Sequence, residues 1–137
     1  MQLRIEPVEV HVRREEVARF AAAFGGADGS VGPKVPWIYP ARWLAHPTVR
    51  RALLALLEEG ELPIHEAQQF IYTGSGLAVE TGLVMRGEAH RDRPGQAVRI
   101  VINLRFEKDD IQVAELTCRL IVAGGRAGGH RHAGSRP

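Results

Sequence analysis

At 137 residues, 45% of them hydrophobic, the chain is long enough for one globular domain with a sizeable core of its own. The formal charge of +2 comes from the tail, where Arg126, Arg131 and Arg136 stand without an acid; residues 1–122 hold 15 basic against 16 acidic side chains, and aromatics are only 6%, which argues against a nucleic-acid partner. The single Cys118 excludes an intramolecular disulfide or a cysteine-rich zinc site, and the lack of a leader or of roughly 20 consecutive apolar residues sets the expectation of a cytoplasmic protein with no membrane partner.

Val8, Val10 and Val12 alternate with Glu9, His11 and Arg13, the period of a strand with one buried face. Val17, Phe20, Ala21 and Phe24 then fall at the spacing of an amphipathic helix, with Glu15 and Glu16 suited to its positive end and Gly25-Gly26 to its stop. Residues 25–40 are rich in Gly and Pro and predict a loop or cover pinned by Trp37 and Tyr39. Whether 41–46 forms a turn of helix is open, because Pro47 disfavours a helical His46. Pro47 suits a first helical position, and a helix is predicted over Thr48–Glu59, ended by Gly60 and Pro63. Residues 52–57 (ALLALL) leave little polar face, so the sheet is expected to wrap this helix.

Four strands are predicted next, over 64–73, 77–89, 97–107 and 111–122. The last two alternate best, with Val98, Ile100, Ile102, Leu104 and Phe106 on one face of one and Ala114, Leu116, Cys118, Leu120 and Val122 on one face of the other. Turn residues separate the strands at Gly74 and Gly76, at Asp92-Arg93-Pro94-Gly95 and at Lys108-Asp109-Asp110. No crossover helices divide them, so the expected class is α+β with antiparallel hairpins, a single domain over 1–122 and a flexible Gly/Arg/His-rich tail over 123–137.

That element order, with Ile64-His65-Glu66-Ala67-Gln68 leading into Phe70, Tyr72 and Gly76, resembles the N-terminal dehydratase domain of the MaoC-like hot-dog proteins over about residues 5–122. The family's second glycine and aspartate of this block are missing here. The resemblance implies a hot-dog fold, a curved antiparallel sheet wrapped around a central apolar helix. It also implies a homodimer, or a heterodimer with a second hot-dog chain, whose interface carries a tunnel for an acyl-CoA or acyl-carrier-protein thioester. Relatives hydrate enoyl thioesters or dehydrate (3R)-hydroxyacyl thioesters, chemistry that needs a general base and a polarised carbonyl. Their Asp-x-Asn-Pro-x-His motif has no counterpart in 25–47, where Asp28 is followed by Gly29-Ser30-Val31-Gly32-Pro33. The implied role is a non-catalytic or weakly catalytic subunit beside a partner that supplies the dyad. A hot-dog acyl-CoA thioesterase using Glu66 or Asp28, or a dimeric module for another apolar molecule, are the alternatives.

The catalytic candidates are His65 and Glu66, although neighbours in a strand point to opposite faces. Trp37, Tyr39, Trp43 and His46 are candidates for lining a substrate channel; the aromatics could equally pack in the core, and His46 could cap the helix that Pro47 begins. Asp92 belongs to a turn. His130 and His132 supply only two ligands on a tail, so no metal site is expected. The glycines match neither a phosphate loop nor a dinucleotide fingerprint, so no cofactor is expected.

Overall fold

Five strands and two α-helices occupy the residues described by the computed structural model, 1–23, 35–74 and 76–125. In chain order they are β1 (Gln2–Val12), α1 (Arg14–Ala23), a 3-10 helix (Tyr39–Ala45), α2 (Pro47–Leu56), β2 (Glu61–Tyr72), β3 (Thr81–Asp92), β4 (Arg99–Lys108) and β5 (Ile111–Gly124). The strands form one antiparallel sheet in the order β1-β3-β4-β5-β2. Local chemistry accounts for the late hairpins. Asp109 and Asp110 both take positive φ, 52° and 65°, between the paired Lys108 and Ile111. Two left-handed residues make the turn whose twist matches that of the strands.

Strict alternation in β3, β4 and β5 sends Met85, Ile100, Leu104, Phe106 and Leu116 to one face, where all are buried. That inward face receives α2, which packs chiefly on β1, β3 and β4 through Val49, Ala52 and Leu56. Gly87 sits where β3 and β4 approach closely; a Cβ there would lie 1.9 Å from the Asn103 carbonyl oxygen. One charged side chain ties the ends together. Arg91 of β3 donates to Glu61 at 2.6 and 2.8 Å and to the Leu56 carbonyl at 2.9 Å, joining the end of α2 and the start of β2 to the far side of the sheet.

Several boundaries differ from the sequence reading. β1 begins at Gln2, not near Val8, and a register shift between Ile5 and Val8 takes up Pro7. β3 begins at Thr81 because Glu80 turns to φ 59°; from there, beside the end of β1, its carboxylate accepts the Arg14 N–H at 2.8 Å and caps α1. The open question over 41–46 resolves as the 3-10 helix through Ala45, with His46 extended before Pro47. α2 stops at Leu56, because Leu57 is extended. Nor is this helix enclosed on all sides. Leu54 is 61% exposed and Arg50, Arg51 and Ala55 share its outer face, so one side of α2 faces away from the core. β5 runs to Gly124, past the 122 boundary, and the Gly125 N–H donates to Gly60. Gly25, Gly26, Asp28 and the tail histidines His130 and His132 lie outside the described residues.

Candidate functional site

β2 is an edge strand with a bulge at Glu66, between the pairs His65–Leu120 and Ala67–Arg119. Leu120 and Cys118 belong to the inward face, so their partners His65 and Gln68 stand on that face too, one on each side of the bulge. The His65 imidazole is hydrogen-bonded through Nε2 to Gln68 Oε1 at 3.1 Å. Glu66 turns outward. Its two oxygens accept from Arg99 Nε and Nη2, both at 2.9 Å, reaching over β5 to β4.

The two catalytic candidates therefore serve opposite faces and form no acid–base pair. The Arg99 guanidinium holds the Glu66 carboxyl below the usual carboxylate range, which weakens it as a base. His65 has an amide rather than a carboxylate beside it. On the outward side an open cleft of about 550 Å³ is lined by Glu66, His90, Asp92, Arg99 and Arg119. Sequence reasoning passed over Arg99, Arg119 and Gln68. Gln68 lay inside the quoted block, but the bulge that turns it toward His65 leaves no mark in the residue types.

The four channel candidates divide into three settings. Tyr39 and Trp43 are buried and stack edge to face at 5.4 Å, with Phe20 at 5.2 Å from Tyr39 and Phe106 at 5.1 Å from Trp43. They join α1 and the 3-10 helix to the sheet. Burial raises the Tyr39 pKa, and its hydroxyl accepts from Arg42 at 2.6 Å while Arg42 also reaches Glu16 at 3.2 Å. Trp37 is 60% exposed. Its ring meets Tyr72 edge to face at 4.4 Å, and the Tyr72 hydroxyl donates to the Trp37 carbonyl. Burial pushes the Tyr72 pKa up to about 12, so the phenol stays a donor. His46 is the N-cap of α2, its Nδ1 accepting the Thr48 N–H at 3.1 Å. Its ring also borders a cleft of about 370 Å³ with His11, Arg42 and Trp43.

By structure the chain matches one from the C-terminally truncated HadBC (3R-hydroxyacyl-ACP dehydratase) complex of Mycobacterium tuberculosis, at 20% identity and a TM-score of 0.65, over 88% of this chain and 94% of that one. It also matches a hot-dog-like protein of Thermanaerovibrio acidaminovorans at 12% identity and a TM-score of 0.56, over 100% of this chain and 91% of that one. The fold is the hot-dog. No protein-family model and no curated protein matches the chain. In hot-dog terms α2 is the filling and the five strands are the roll, with α2 set chiefly over β1, β3 and β4. Among the described residues no helix is long and apolar enough to cross a membrane.

Proposed function

We propose that this chain is an acyl-thioester-binding protein of the (3R)-hydroxyacyl dehydratase and enoyl hydratase type, acting in the cytoplasm and not catalytic by itself. The observation that carries the reading is the inward face of β2. Gln68, Phe70 and Tyr72 are half-buried there and His65 is exposed, at an edge with no partner strand among the described residues. An acyl chain laid against Phe70 and Tyr72 would bring its thioester toward the His65–Gln68 pair, where the Gln68 amide N–H groups suit a carbonyl oxygen. The hot-dog fold shared with a chain of a complex named as a (3R)-hydroxyacyl-ACP dehydratase supports the substrate class. The segregation of His65 from Glu66 supports the lack of independent turnover, since hydration needs an acid and a base that reach the same substrate.

The test is to titrate the purified chain with crotonyl-CoA and longer enoyl-CoA thioesters, following binding by calorimetry and hydration by loss of the enoyl absorbance. Binding without turnover is expected, weakened by His65→Ala. Turnover abolished by His65→Ala would overturn the non-catalytic part and make His65 the base; failure to bind any thioester would remove the whole reading.

A further inference from the structure

Beyond the bulge the inward face of β2 passes from polar to apolar and then meets a fixed obstacle. Gln68, Phe70 and Tyr72 share that face at the period of a strand, so they form one half-buried stripe, about 13 Å long at roughly 3.3 Å per residue. Its first residue offers an amide and its second a phenyl ring. The hydroxyl of its third, Tyr72, is taken up by the Trp37 carbonyl, so what Tyr72 presents to a ligand is its ring.

Trp37 is the obstacle. Its indole meets the Tyr72 ring edge to face at 4.4 Å. The segment that carries it is held on both sides of this contact. Val35 donates its N–H to the Leu77 carbonyl at 3.2 Å, while Tyr39 donates to Pro36 at 3.0 Å and is buried against Phe20 and Trp43. Residues 35–39 therefore run as a bar from the connection between β2 and β3, past the Tyr72 end of the stripe, to the aromatic cluster that joins α1 and the 3-10 helix to the sheet. Core packing does not account for Trp37, which keeps 60% of its surface exposed while Tyr39 and Trp43 are buried. A large ring that is pinned in place and left open suits contact with an apolar ligand.

We infer that Trp37 and Tyr72 together form the end wall of the acyl site and set the longest chain it takes, which makes its ligands thioesters of medium-length acyl groups. The inference rests on the proposed function and also fixes the direction of the ligand. The thioester lies at the His65–Gln68 end, the methylenes lie along Phe70, and the terminal methyl meets the Trp37 and Tyr72 rings. Each methylene laid on the stripe leaves water and adds affinity; those that would pass the wall stay in water and add none.

Calorimetric titration of the full chain with butyryl-, octanoyl-, decanoyl-, dodecanoyl- and palmitoyl-CoA tests it. The dissociation constant should fall by about fourfold per added methylene up to the octanoyl or decanoyl ester, then level off or rise. Trp37→Ala should move that break to the longer esters and tighten palmitoyl-CoA by about tenfold, while butyryl-CoA, too short to reach the wall, stays within about twofold. Tyr72→Phe keeps the ring but frees the Trp37 carbonyl, and should move the break the same way by less. Tryptophan emission supplies a readout that needs no variant, because the exposed Trp37 should shift to the blue with decanoyl-CoA and not with butyryl-CoA. A wild-type series without a break, a break that stays in place in both variants, or a Trp37→Ala effect of the same size on every ester overturns the inference and leaves the proposed function standing. Binding of no ester at any length overturns both.

Discussion

The inward face of the sheet has two halves with different fates. Over β1, β3 and β4, α2 closes the surface, and Met85, Ile100, Leu104 and Phe106 are fully buried. Over β2 the same kind of alternation leaves Phe70 and Tyr72 half-buried and His65 exposed, with Leu62, Ile64 and Ile71 outward in the open. Residue types alone do not explain the contrast, because both halves are rich in aliphatic and aromatic side chains. What lies above each strand does. The lesson is that β2 gives Phe70 and Tyr72 only partly to this chain's own core and leaves Leu62, Ile64 and Ile71 on the surface, open to a ligand or another strand.

The comparison breaks first, and hardest, at Phe106. Its ring is buried against Trp43, so Phe106→Ala should lower the unfolding free energy by about 4 kcal/mol in urea titrations. A loss under about 1 kcal/mol would mean that the covered half is not tightly packed. Next is the tie between the halves. Glu61→Gln leaves Arg91 without its bidentate carboxylate and should cost about 2 kcal/mol. Arg91 holds the Glu61 pKa below the ordinary carboxylate value. A depressed folded pKa gives stability that is present above the unfolded value of about 4.3 and is lost as pH falls through the folded one. The difference between wild type and Glu61→Gln should therefore be constant near neutral pH and shrink below about pH 4. A difference that grew with acid would show that the carboxylate is not ionised in the pair.

Much of this arrangement could be seen in advance, and the parts that could not share a cause. β4 and β5 were legible because Ile100 to Phe106 and Ala114 to Leu120 alternate without interruption. The first half of β1 was not, since Pro7 and the shift around it break the period. The divergence of His65 and Glu66 follows from the period of two and holds at the bulge. Their partners do not follow. Arg99 meets Glu66 only because β5 lies between β2 and β4, and strand order is a property of the whole sheet. That the sheet wraps α2 was legible in ALLALL, but which residue stays outside was not: Leu54 is exposed although its type is that of its buried neighbours.

A smaller effect is expected at the start of α2. His46→Ala removes the acceptor for the Thr48 N–H and should cost about 1 kcal/mol, with His46→Asp restoring most of it. If His46→Asp were as unstable as His46→Ala, the imidazole would be acting through its cleft rather than as a cap. Thermal unfolding of the three proteins separates these outcomes.

The smallest effect sharpens the comparison from the other side. Ile71→Ala removes an exposed aliphatic group opposite Glu115, and in the isolated chain its cost should be within about 0.5 kcal/mol. If β2 pairs with a second copy, the same substitution acts on association as well, and its effect must then depend on protein concentration by mass action. Melting curves of wild type and Ile71→Ala at low and high concentration distinguish the cases. Curves that coincide when dilute and separate when concentrated place Ile71 at a junction between chains, while a large difference that ignores concentration would put this face of β2 inside the core of the single chain and erase the contrast between the two halves.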